Sequence, residues 1–301
     1  MPNSKIFVVY HKNAPLVQND VFVPIRVGKF AEDASNNLLA DNTGDNIAHK
    51  NPYYNEMTAI YWLWKNYDEI GNPDYIGLNH YRRYFIFKGS KYAYFESQSI
   101  DDIFEQINFC NGKVEEIFKS YDFIVPVPNK RKSVYHNYKV SHNIEDLELV
   151  LKILKEKYPE FTEAADKYIY GKGVYFYNMF VFKRQDFFNY CEWIFSVLDE
   201  YEKQTQRHDK RFYVSERLTG IYITYLKMQG MRPAHLPVLF IKDKKPTLKQ
   251  AKQMCKQNLK DKNMSKLHAY KPLIAHFVPN KLILMRRRKS ALKRKEIFKE
   301  N

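Results

Sequence analysis

Short apolar runs alternate along the chain with longer stretches in which apolar residues recur every three or four positions. Residues 5–10 (KIFVVY) are β-branched and aromatic, which predicts a strand buried on both faces. Residues 22–27 predict a second strand or extended segment, and the turn formers of 39–46 (LADNTGDN) predict a surface loop. Asn51-Pro52 is expected to open a helix carried by Met57, Ile60, Tyr61 and Trp64 and stopped near Gly71-Asn72-Pro73. Residues 74–81 predict another buried strand that runs directly into Arg82-Arg83, and residues 121–127 (YDFIVPV) a further one. A helix is expected over 143–158, with Asn143 as N-cap and Glu145 and Asp146 in its first turn. Residues 174–183 (VYFYNMFVFK) read as one strand, followed by a helix through Trp193, Leu198 and Tyr201, a helix over 215–226 and a short strand over 238–241. Strands alternating with helices predict an α/β domain with a mostly parallel central sheet.

Composition narrows the class. At 45% hydrophobic and 16% aromatic over 301 residues, the chain can bury a core and is not disordered. Cys110, Cys191 and Cys255 lie far apart without metal-ligand spacing, which excludes a disulfide scaffold and a zinc finger and fits a reducing compartment. The opening MPNSKIFVVYHK lacks a signal-peptide pattern, and no run approaches ~20 apolar residues, so a cytoplasmic protein is expected.

The net charge of +15 suggests nucleic acid until it is located. Residues 241–301 hold 19 Lys/Arg against 4 Asp/Glu, so the preceding residues are neutral and the whole excess is C-terminal. This predicts a globular domain over 1–241 and a basic amphipathic, helical extension over 242–301. The extension interleaves Leu273, Ile274, Phe277 and Leu282–Met285 with Arg286–Lys289 and Lys293–Lys295, a pattern suited to an anionic membrane surface. A solvated basic tail is the plainer alternative. No nucleic-acid module accompanies the charge, and no nucleic-acid partner is expected.

Dinucleotide, P-loop, nucleophile-elbow and zincin fingerprints are absent, which leaves polar clusters at predicted strand ends, where α/β folds place ligands. His80, Arg82 and Arg83 end a strand; two guanidinium forks suit a diphosphate, or else pair with Asp74 or Glu56. Asp41, Asp45, Asn46, Glu56 and Thr58 form a dense polar loop and helix start, able to hold a base, ribose or sugar hydroxyl or to cap the helix. Tyr138, His142 and Asp146 lie before and within the 143–158 helix; His136 and His142 with Asp146 match no standard metal site, and the cluster is expected to line a pocket or cap the helix. Asn178 and Met179 interrupt an aromatic strand, and Glu216-Arg217 is either a buried ion pair or a site carboxylate beside a cation.

Taken together, DNTGDNIAHKNPYYNEMTAIYWLWKN, DYIGLNHYRRYF, the HNYKVSHNIEDLELV…KYPEF region, YFYNMFVFKRQDFFNYCEWIF and SERL resemble a bacterial family first catalogued as a domain of unknown function. Its members occur in capsule, exopolysaccharide and O-antigen gene sets and are regarded as glycosyltransferases. The resemblance runs from about residue 5 to 240 and leaves the basic tail outside. It implies a single GT-A-like, Rossmann-like domain that takes a UDP-sugar (galactose, galactofuranose or glucose) and a polyprenyl-linked or growing glycan acceptor. Such enzymes usually carry Asp-x-Asp for a divalent metal, where this chain has His80-Tyr81-Arg82-Arg83. Cationic side chains there would neutralise the leaving UDP directly, so no metal or other cofactor is expected, with Asp41 and Asp45 as ligands in the contrary case. The resemblance makes Glu216 the first choice of general base and Asp146 the second. It places His80, Arg82, Arg83, Asp41, Asp45, Asn46, Glu56 and Thr58 on the donor, and Tyr138, His142, Asn178, Met179 and Arg217 on sugar or acceptor. A non-catalytic membrane- or nucleic-acid-binding protein, or another nucleotide-sugar enzyme, are the rival readings.

Overall fold

A computed structural model describes residues 3–33, 37–90, 92–205, 213–242, 247–259, 270 and 273. The chain divides into two compact units, residues 1–242 and 243–301. Along the first unit run β1 (Ser4–Tyr10), β2 (Phe22–Arg26) and β3 (Leu39–Ala40), then α1 (Asn51–Tyr54) and α2 (Met57–Lys65). β4 (Tyr75–His80), β5 (Arg83–Phe85), β6 (Tyr94–Ser97), α3 (Ile103–Gln106), α4 (Lys113–Phe118), β7 (Phe123–Pro126) and β8 (Asn129–Lys130) follow. Next come α5 (Val134–Ser141), α6 (Ile144–Lys157), α7 (Thr162–Ile169), β9 (Gly173–Val174) and β10 (Phe180–Lys183). α8 (Arg184–Gln204), α9 (Ser215–Met228), β11 (Pro233–Leu236) and β12 (Val238–Ile241) complete the unit. In the second unit, α10 (Leu248–Asn258) starts at a capping box between Thr247 and Gln250. Apart from residues 242, 247, 259, 270 and 273, the remainder of the basic extension lies outside the described residues.

The fold is the expected mixed α/β one, built on a mostly parallel central sheet. Strand order is β11-β7-β10-β4-β1-β2-β3, with β5 continuing from β4 to β12 and β12 pairing with β6. β1 pairs in parallel with both β2 and β4, while β10 runs antiparallel to its neighbours β4 and β7. Side chains alternate between two cores, as the two-residue period of a strand requires. Phe7 and Val9 of β1, Ile76 and Leu78 of β4, and Phe180 and Phe182 of β10 join the core that packs α2, α6, α7, α8 and α9. Ile6, Val8 and Tyr10, with Val181 and Ile124, face the other core, which includes Tyr84, Phe85, Ile103 and Val238.

Two expected elements differ. The helix opened at Asn51-Pro52 breaks after Tyr54, because Asn55 adopts φ 52°, and it resumes at Met57. Within α2, Trp62 and Leu63 are buried beside Met57 and Ile60, whereas Tyr61 and Trp64 are half-buried. The single strand expected over 174–183 is split into β9 and β10, because Tyr177 (φ 81°) and Asn178 (φ 48°) both turn left-handed. Asn178 is the one local sign of that turn in an otherwise aromatic, β-branched run, and the contacts of the turned backbone hold it.

Candidate functional site

The parallel strands β1, β2 and β4 all end at one edge of the sheet. β10 runs the other way, so the turn that precedes it, Tyr177–Asn178, arrives at the same edge. The start of α9 and the α1–α2 break complete the walls of a cleft of about 480 Å³. Its β1 and β2 side carries His11, Gly28 and Lys29. Its helix wall carries Asn51, Asn55 and Glu56, and its floor and far wall carry His80, Arg82, Arg83, Tyr177 and Glu216. Gly28 sits at φ +60°, and a Cβ there would stand 2.4 Å from Asn51 Oδ1, so any other residue is strained and must push the Asn51 amide aside.

Aromatic rings pack against both guanidiniums. The Arg83 guanidinium lies 4.5 Å from the Tyr177 ring and 5.4 Å from the Phe240 ring, and its buried Nε has no hydrogen-bond partner. Arg82 lies 5.0 Å from the Tyr81 ring and 5.7 Å from that of Phe240. Asp74, one partner the sequence offers them, instead pairs with Arg184 at 3.5 Å. His80 is hydrogen-bonded through Nε2 to the Tyr177 carbonyl. A carbonyl only accepts, so Nε2 carries a proton, and in the neutral ring Nδ1 is the acceptor. Burial, then the Arg83 charge, lowers the His80 pKa to about 4.

The left-handed turn organises the opposite charge. It aims the Tyr177 carbonyl at His80 and the Tyr177 N–H at Glu216 Oε1 (3.2 Å), while Arg217 Nη2 reaches Glu216 Oε2 at 3.4 Å. Two left-handed non-glycine residues cost roughly 1–2 kcal/mol each, which these contacts offset. Glu216 is therefore both the structural ion pair and a cleft carboxylate. Burial, opposed by Arg217 and reinforced by Glu56, raises its pKa.

Residues 5–227 match the family described as Domain of unknown function (DUF4422). The chain belongs to this family. Among solved structures, it is similar to the apo structure of WbbM, a bifunctional glycosyltransferase, at 28% identity and a TM-score of 0.71. The match covers 80% of this chain and 46% of that one, so this DUF4422 chain spans less than half of its structural relative. Comparison with curated proteins returned no match.

In this DUF4422 domain, His80, Arg82, Arg83, Glu56 and Glu216 meet in the cleft; the other sequence candidates do not line it. Asp41 is fully buried and accepts from Thr58 Oγ1, itself buried, at 2.5 Å. Asp45 and Asn46 shape their own loop: Asn66 brackets the Asp45 backbone, and Asn46 Nδ2 donates to Gly44 O at 3.0 Å. Tyr138 and Met179 are core residues, and Asp146 is buried in the first turn of α6. His142 stacks on Tyr213, with ring centroids 4.4 Å apart. Asn178 is 2% exposed with its amide spent inside the protein, and Arg217, 1% exposed, reaches the cleft only through Glu216. Among the described residues no cluster of three or more His, Cys, Asp or Glu could hold a metal ion, and no helix is long and apolar enough to cross a membrane. Sequence reasoning missed His11, Gly28, Lys29 and Asn55. A glycine and lysine directly after the second parallel strand were the available signal for two of them.

Proposed function

We propose that this protein is a glycosyltransferase that moves a sugar from a UDP-sugar to a lipid-linked or growing surface glycan at the inner face of the cell membrane. One observation carries the reading: a cleft at the ends of the parallel strands that sets two guanidiniums beside two carboxylates. The likeness to a bifunctional glycosyltransferase supports it. Arg82 and Arg83, both lining the cleft, receive the diphosphate. In an inverting displacement the acceptor hydroxyl oxygen attacks the anomeric carbon. The bond from that carbon to the UDP oxygen breaks, and the electron pair passes to the phosphate, where the guanidiniums stabilise it. The hydroxyl proton goes to Glu216, whose raised pKa makes it a stronger base than an ordinary carboxylate. In this reading side chains supply the cationic charge, and turnover survives chelation.

The test is calorimetry with UDP, followed by product analysis over a panel of UDP-sugars with and without EDTA. Arg83→Ala should weaken UDP binding by roughly 1.5–3 kcal/mol. Glu216→Gln should spare that binding and lower turnover by about 10²-fold or more. Unchanged UDP affinity in folded Arg83→Ala, or loss of turnover on chelation with rescue by Mn²⁺, would reject the corresponding assignment.

A further inference from the structure

The cleft's second carboxylate is held by a chain of hydrogen bonds that begins deep in the core. Tyr190 of α8, fully buried, shares a hydrogen bond of 2.8 Å with Thr219 Oγ1 of α9. Thr219 Oγ1 donates to Asn178 Oδ1 at 2.7 Å, and Asn178 Nδ2 donates to Glu56 Oε1 at 2.8 Å. Ser215 Oγ accepts the other Nδ2 proton at 3.2 Å. The direction is fixed at the cleft end. An ionised carboxylate only accepts, so the amide nitrogen must face Glu56 and the amide oxygen must face Thr219. The single Thr219 proton serves Asn178 Oδ1 and the Ser215 carbonyl, 3.0 Å away, so Tyr190 heads the chain as donor; burial keeps its phenol protonated. The left-handed backbone at Asn178 brings the amide into line with all three partners.

Buried polar chains of this kind are costly unless fully satisfied. The end product of this one is a carboxylate of set orientation in the cleft wall. The guanidiniums suit the charged diphosphate, which a carboxylate repels. Glu56 therefore belongs with the neutral, hydroxyl-rich part of the donor. We propose that Glu56 selects the transferred sugar by accepting hydrogen bonds from its hydroxyls, and that Tyr190, Thr219 and Asn178 are positioning residues that hold its carboxylate for that contact. This rests on the glycosyltransferase reading above.

The experiment uses the full chain and its Thr219→Val, Thr219→Ser and Glu56→Gln variants, with UDP, UDP-galactose and UDP-glucose as probes. Thr219→Val keeps the side-chain shape and removes the donor. It should raise KM for the preferred UDP-sugar about tenfold and compress discrimination between the two sugars, with UDP affinity held within about twofold. Thr219→Ser should restore the native values, and Glu56→Gln should reproduce the valine variant. Native discrimination in folded Thr219→Val, or a serine variant as impaired as the valine one, overturns the proposal. Should Thr219→Val lower the melting temperature steeply, Tyr190→Phe repeats the test from the far end of the chain. A wild-type protein that binds neither UDP nor either UDP-sugar fails the underlying reading instead, an outcome distinct from native binding without altered selectivity.

Discussion

Asp41 shows how a polar residue in a promising loop can serve the fold instead of a ligand. Its carboxyl is fully buried, Thr58 satisfies one oxygen and the other has no hydrogen-bond partner. Burial raises its pKa from 3.8 to about 6 against the opposing Thr58 bond. Because the folded state holds this proton more tightly than the unfolded chain, Asp41 costs stability as pH rises from 3.8 to about 6, and the cost stays constant above that. Asp41→Asn keeps an acceptor for Thr58 and removes the charge. Thermal melting should show it more stable than the native protein at pH 8, by on the order of 3 kcal/mol, with the gain fading to nothing below pH 4. A lower melting temperature at pH 8 would mean that the ionised carboxylate is stabilising. His80 has the opposite sign: with its pKa depressed to about 4, it removes stability as pH falls from 6.5 towards that value. Comparison of variant with native protein at each pH separates the two.

At the scale of elements, α7 and α9 pack closely enough that Gly220 touches a ring. A Cβ at Gly220 would lie 2.1 Å from Tyr168 Cζ and 2.3 Å from its hydroxyl oxygen. That ring is 4% exposed, and its hydroxyl accepts the Tyr175 N–H at 3.2 Å, just before the cleft turn. Gly220→Ala gains helix propensity but must displace Tyr168. Overpacking should win, at a cost of about 1–3 kcal/mol against a propensity gain of about 1. Denaturant melts should place the midpoint below that of the native protein, and a midpoint at or above it would show that the ring moves aside freely. β1, β4, β7, α6 and α9 were legible in the sequence because burial on two faces, or on one helical stripe, writes its period into the chain. The β9–β10 split was not. Apart from Asn178 the run 174–183 reads as a strand, and residues distant in sequence, His80, Glu216, Glu56, Ser215 and Thr219, hold Tyr177 and Asn178 in the turn.

For the whole molecule the charge division matters most. The first 240 residues balance to zero, and the following 61 carry the entire +15. Seven Lys/Arg between Arg286 and Lys295 follow an apolar stretch, in a segment outside the described residues. At about 1 kcal/mol per basic residue near an anionic surface, partial engagement would hold the protein at a membrane and weaken with salt. Removal of residues 272–301 should abolish co-sedimentation with anionic liposomes at low salt while leaving transfer to a short soluble acceptor nearly unchanged. Liposome binding that survives the truncation, or activity on soluble acceptor that does not, would remove the membrane role.

The sequence by itself determined the α/β class and the strand ends that carry His80, Arg82 and Arg83, because strand burial and a polar terminus are both local properties of the chain. It also showed two acidic residues, Glu56 and Glu216, at helix starts. Tertiary structure alone decided that these two share a cleft with the guanidiniums, while Asp41, Asp45, Asn46 and Thr58 close on themselves and one another. The physical reason is that a carboxylate or amide looks the same in sequence whether its partner is a ligand, a backbone N–H or a buried hydroxyl. Which partner it meets depends on the antiparallel course of β10 and the packing of α9, and both are set by contacts between residues far apart in the chain.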